Sequence, residues 1–211
     1  MARRARSGPQ ARDLQPRKLP RQARAQASFD ALVEACARLL PRLGYAGTTT
    51  NHIAERAGVS IASLYEYFPG KDAIVAQVAE RLVDRVLRQL ARAAPRVLEA
   101  PEDEAVRVWI GLIHETVARE RALFVVFTYQ VPYTNRLDAV QAVSSRLIEF
   151  SRQVRDRAGG LVRQEVSPAT LHLIVNLVSS TIMQLVLDPP ADATRDELLD
   201  ELGARIAAWI R

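Results

Sequence analysis

The sequence predicts an all-α protein, a small N-terminal helix-turn-helix domain followed by a larger helical body. Three observations carry that expectation. Apolar residues recur at helical spacing through most of the 211 residues, and no segment shows the strict alternation of a half-buried strand. A glycine-marked turn separates two short helical patterns between Thr49 and Phe68. Gly159-Gly160 and Asp188-Pro189-Pro190 punctuate the rest, as helix breakers do.

The first helix is expected over about 25–43. Phe29, Leu32, Val33, Cys36, Leu40 and Leu43 share one face, and Gly44 ends it. Pro41 falls in its last turn, where it can kink the helix. Thr49 or Thr50 can cap a second, brief helix with Ile53, Ala54 and Ala57 inward. Gly58 stands where the chain must leave that helix with positive φ. Val59 plugs the gap, and Ser60 can cap a third helix with Leu64 and Phe68 inward, four residues apart. Ser60, Ile61, Ala62, Ser63, Tyr65 and Tyr67 are expected to face outward. Pro69-Gly70 ends that helix, and Lys71 opens a long fourth one to about 93, with Pro95 at its boundary. Five further helical stretches are expected, over about 102–119, 121–130, 135–157, 168–187 and 194–210.

Charge is unevenly placed. The chain has 29 Lys+Arg against 24 Asp+Glu, a net of +5. Residues 1–24 hold eight basic groups and one acid, a net of +7, which leaves −2 for the remainder. This stretch has Pro9, Pro16 and Pro20 and no apolar periodicity. It is expected to be a disordered arm when free, one that follows phosphates or enters a minor groove. It lacks the apolar segment of a secretory signal. The one cysteine, Cys36, lies on an apolar helix face, which excludes a disulfide framework and fits a cytoplasmic protein. The apolar run from Leu171 to Leu187 carries Asn176, Ser179, Ser180, Thr181 and Gln184. It reads as a buried or interface helix rather than a membrane span.

Catalysis has no support. His52, His114 and His172 fall on different helices, without metal-ligand spacing, a phosphate-cradling glycine loop or a nucleophile elbow. No metal and no cofactor is expected. A helix-turn-helix pair alone leaves two readings open, an ordinary helical pair and a unit that presents one helix end to a DNA major groove.

The runs FDALVEACARLLPRLGY, TTTNHIAERAGVS and LYEYFPGKDAI resemble the N-terminal domain of TetR-type (tetracycline-repressor family) transcriptional regulators. The resemblance covers about 25–86, with the helix-turn-helix at about 49–68. The basic arm of 1–24 precedes it, and the resemblance implies an effector-binding and dimerisation domain over 87–211. It implies phosphate contacts from Thr50, Tyr65, Tyr67 and Lys71, and places Asn51, Ile61, Ala62 and Ser63, behind the Ser60 cap, at the base-reading positions. Ile61 and Ala62 can touch only a thymine methyl, so discrimination must draw on such contacts, on Asn51 and Ser63, on the tail arginines, or on DNA shape.

The implied activity is a homodimeric repressor released from a palindromic DNA operator by a small-molecule effector. A ligand-independent architectural protein and an activator stand as alternatives. Five of the twelve aromatics lie in 105–133, interleaved with polar groups. By the same resemblance, Trp109, Ile113, His114, Phe124, Phe127, Gln130 and Tyr133 are the candidate pocket for an apolar or aromatic effector. Leu171, Ile174, Val178, Ile182 and Leu185, with Leu202, Ile206 and Trp209, are the candidate dimer interface.

Overall fold

The computed structural model describes residues 14–101, 104–157 and 166–210. Among these residues there is no strand, and ten α-helices follow in order: α1 Ala23–Gly47, α2 Thr50–Ala57, α3 Ile61–Tyr67, α4 Lys71–Leu98, α5 Ala105–Arg119, α6 Arg121–Tyr129, α7 Asp138–Gln141, α8 Val143–Arg157, α9 Pro168–Leu187 and α10 Arg195–Ile210. The chain is all-α, as expected. The described residues pack as two compact units, one within 14–82 and 122–141, the other within 83–121 and 142–210.

In the first unit α1 packs on α2 and α3. Leu32, Val33, Cys36 and Leu40 of α1 are buried with Ile53, Leu64 and Phe68. Small Ala54, also buried, lets α2 approach closely. Gly44 takes φ 69 and ψ 172, so the regular turns of α1 stop there, and one further turn follows to Gly47. Thr48 closes that turn, its N–H and hydroxyl both donating to the Gly44 carbonyl at 3.1 and 2.7 Å.

Cys36 is fully buried. Desolvation pushes its thiol up to about 12, against the pull of the Lys71 charge. Thiolate is the reactive form. A thiol-specific aromatic disulfide is therefore expected to label the native protein at pH 8 far more slowly than the denatured protein. Equal rates would show that the helix face is open. The unfolded thiol ionises near 9 and the folded one near 12. This group's contribution is therefore complete below pH 9 and is lost as pH rises towards 12.

Two elements differ from expectation. α4 continues through Pro95 to Leu98. A proline removes one helical hydrogen bond, but Ala91, four residues earlier, is exposed, so water can satisfy its carbonyl. The stretch expected as one helix over 135–157 is broken into a 3-10 turn at Thr134–Arg136, short α7 and then α8. The Thr134 hydroxyl donates to the Val131 carbonyl at 3.0 Å and to that of Phe127, a local alternative to helical pairing.

The second unit joins α5 to α9 and α10, and α8 to α9. Ser167 caps α9 ahead of Pro168, its oxygen accepting the Thr170 N–H at 3.1 Å. Arg121 donates from Nε to the Val186 carbonyl at 2.8 Å, covering a free acceptor at the other end of α9. α10 opens with a capping box. The Thr194 N–H donates to the Glu197 carboxylate at 2.8 Å, and the Glu197 N–H donates to the Thr194 hydroxyl at 3.3 Å.

Candidate nucleic-acid interface

The helix-turn-helix is built by its caps. The Thr49 hydroxyl accepts the His52 N–H at 3.2 Å and starts α2. Gly58 ends α2 in the left-handed region, φ 66 and ψ 27. Ser60 starts α3, its oxygen accepting the Ser63 N–H at 3.1 Å while its own hydroxyl donates to the Ser63 oxygen at 2.9 Å. With Leu64 and Phe68 buried, the opposite face of α3 must point outward. Ile61 is 39 % exposed and Tyr65 43 %, large side chains that a helix without a partner would rather bury. Asn51, Ser60 and Ala62 are exposed as well, and Ser63 half-buried.

Thr50 and Tyr65 meet across the two helices, their hydroxyl oxygens 3.2 Å apart. That brings two phosphate-suited hydroxyls to one place. Tyr67 departs from expectation. It is buried, its ring edge-on to Phe29 at 6.0 Å between centroids. The short α3 lets one extra residue of its last turn face α1. Lys71 is half-buried. Its ammonium donates to the Tyr45 carbonyl at 2.7 Å and lies 4.0 Å from the Tyr45 ring centre. Burial lowers its pKa from the usual lysine value, with Asp72 pulling the other way. An ammonium has three donors, so this anchoring fixes the charge without using it up.

Behind Lys71 lies a polar cluster that sequence reasoning missed. The Tyr45 and Tyr133 hydroxyls both donate to one Asp72 oxygen, at 2.7 and 2.8 Å. Gln130 Oε1 accepts the Tyr45 N–H at 3.0 Å. Desolvation pushes the Tyr45 phenol up to about 12 and raises that of Tyr133 further. Two members, Gln130 and Tyr133, are expected effector contacts that the structure ties to the end of α1 and the start of α4. The only sequence signal was Asp72 itself, an acid in the first turn of a helix.

The other expected effector residues divide between the units. Phe124 and Phe127 lie in the first, half-buried and buried respectively. Trp109, Ile113 and His114 lie in the second, all half-buried, with Trp109 stacked on Phe150 at 5.8 Å. Burial lowers the His114 pKa, with the Arg195 charge adding to it. The second unit also holds an open trench of about 750 Å³ between α4 and α8, lined by Leu87, Arg88, Ala91, Ile148 and Phe150 among others and by none of the seven expected residues.

The dimer candidates also divide. Val178, Ile182, Leu185, Leu202 and Ile206 are buried within the unit's own core, whereas Leu171 and Ile174 are half-buried and Trp209 is 48 % exposed. Leu173 and Leu177, one turn apart on α9 and absent from the expected set, are exposed. The helix is apolar all round, so its sequence did not mark which side meets its own core. At 20 residues, α9 is long and apolar enough, by length and composition alone, to cross a membrane, and little of it is buried.

Residues 32–78 match the family model of bacterial regulatory proteins of the tetR family. Over that segment, which runs from α1 into α4, the chain is similar to the tetR family. No curated protein matches it. Several solved structures share the tetR-family fold. One is a TetR-family transcriptional regulator from Mesorhizobium loti, 16 % identical with a TM-score of 0.58, the match covering 89 % of this chain and 97 % of that one. Another is the fatty acid degradation regulator FadR from Bacillus halodurans, 14 % identical with a TM-score of 0.58, covering 92 % and 99 %. A third is the repressor FadR of Thermus thermophilus in complex with lauroyl-CoA, 20 % identical with a TM-score of 0.53, covering 85 % and 93 %. Over 32–78 the chain is similar to bacterial regulatory proteins, and its fold is that of solved TetR-family regulators.

Proposed function

We propose that this chain is a homodimeric repressor, bound to a palindromic operator through residues 25–86 and released by a small-molecule effector taken up within 87–211. The observation that carries the reading is the exposed tip of α3. Ile61 stands in the open on a helix held rigidly by the Ser60 cap and the Leu64 and Phe68 anchors, beside the Thr50–Tyr65 hydroxyl pair. The exposed Leu173 and Leu177 of α9 and Trp209 of α10 support pairing of two copies through these helices. One short helix reads few bases, and two-fold pairing spans two half-sites. The FadR structure with lauroyl-CoA supports an effector with an apolar part. Effector binding would favour a dimer whose reading heads are spaced wrongly for the operator, with α4 carrying the shift.

The test is fluorescence anisotropy on the intergenic DNA upstream of the protein's own gene, against scrambled DNA of equal length near physiological salt. A preference of about 10³ or more supports the reading. Equal binding to both would favour an architectural protein. Ile61→Ala is expected to lose about 1 kcal/mol of discrimination at one T·A pair and little on scrambled DNA. Lys71→Ala is expected to weaken both DNAs alike and to reduce the log–log salt slope by about 0.9. Equal losses on both DNAs for Ile61→Ala would remove it as a reader.

A further inference from the structure

Residues 14–22, part of the expected free arm, are strapped onto the first unit; residues 1–13 lie outside the described ones. Leu14 is 6 % exposed and lines a cleft with Ala76, Gln77 and Leu137. The Gln15 amide donates to Asp138 at 2.6 Å. The Arg17 N–H donates to the Tyr67 carbonyl at 2.7 Å. Pro16 and Pro20 hold φ near one value on either side of that bond. Three anchors within four residues are more than a solubilising tail requires, since each ordered residue loses conformational entropy.

The strap leaves its cations outward. Arg17, Lys18 and Arg21 are all exposed, and none of them forms an ion pair or a side-chain hydrogen bond among the described residues. Arg17 is bonded to a residue only two positions beyond Tyr65, about 3 Å along the α3 axis. We propose that Arg17, Lys18 and Arg21 form a fixed clamp on the DNA backbone beside the reading helix, set in place by Leu14 and the Arg17–Tyr67 bond. This deepens the DNA-binding reading above and rests on it. The clamp touches phosphates and not base edges, so it adds affinity without adding sequence preference.

The experiment uses the full chain, a duplex that the wild type enriches from a random-sequence pool, and a scrambled duplex, titrated between 50 and 200 mM salt. For the triple variant Arg17→Ala, Lys18→Ala, Arg21→Ala, the expected result is a log–log slope shallower by about 2–3, at roughly 0.9 per lost contact. Enriched and scrambled duplexes should weaken by the same factor. Leu14→Asp keeps all three cations but frees the strap, and several-fold weaker binding is expected; Gln15→Ala, a milder change at the same anchor, should weaken binding in the same direction. An unchanged slope for the triple variant, with wild-type enrichment intact, overturns the clamp alone. Wild-type affinity in both anchor variants overturns its fixed geometry and leaves a loose charged tail. A wild-type chain that enriches no duplex and binds none overturns the clamp together with the DNA-binding reading.

Discussion

Phe68→Ala is expected to lower the free energy of unfolding by about 3–5 kcal/mol, the cost of emptying a large buried aromatic site. The ring is fully buried and stacked on Phe29, 4.7 Å between centroids with planes 29° apart. Phe68 terminates α3, and its N–H donates to the Leu64 carbonyl at 2.9 Å. The residue therefore joins the end of α3 to α1. Its removal leaves a cavity where three helices meet, and the neighbours can close it only by shifting α3. Urea denaturation followed by circular dichroism measures the loss. Phe68→Leu, which refills most of the volume, should recover more than half of it. A loss under about 1 kcal/mol for the alanine variant would show that this aromatic pair does not hold the unit together. Loss of DNA binding should follow the loss of stability, because the position of Ile61 depends on the same anchor.

Gly44→Ala should destabilise the same unit by about 2–4 kcal/mol, from two separable causes. At φ 69 and ψ 172 the backbone occupies a region that only glycine populates readily, and a side chain there costs about 1–3 kcal/mol. An added Cβ would also stand 2.7 Å from Gln130 Oε1, the atom that accepts the Tyr45 N–H. Displacing that side chain forfeits a hydrogen bond worth about 1 kcal/mol. Gly58→Ala supplies the comparison. It has positive φ as well, 66, but nothing stands within 4 Å of its added Cβ, so only the backbone cost of about 1–2 kcal/mol is expected. In Gly44→Ala/Gln130→Ala the collision is absent, and the double variant should be less destabilised than the sum of the two single ones. Strict additivity in thermal or urea unfolding would refute the close approach.

Much of the first unit was legible along the chain because its determinants are local. Thr49, Gly58 and Ser60 act on backbone groups within three or four residues, and the inward set Ile53, Leu64 and Phe68 follows helical spacing. The all-α character, the burial of Cys36 and the break at Gly44 are of the same kind. Tyr67 was misjudged because a seven-residue helix has no single outer face. Its last turn is claimed by whichever helix lies nearest, here α1 through Phe29.

What only the tertiary structure decided involves partners far apart in sequence. Asp72 gathers Tyr45 and Tyr133, 27 residues before it and 61 after it, and no local pattern links them. Gln130 and Tyr133 looked like ligand contacts because polar groups among aromatics are the usual sign of a pocket, yet the end of α1 claims them first. In α9 the apolar residues run all round the helix, so periodicity could not separate Val178 and Ile182, which are buried, from Leu173 and Leu177, which are exposed. The arm shows the same division. Its basic charge is plain in the sequence, but a single Leu14 entering a cleft and one backbone bond at Arg17 tie residues 14–22 down. Composition determines where the charge lies along the chain, and packing between distant segments determines where it is held in space.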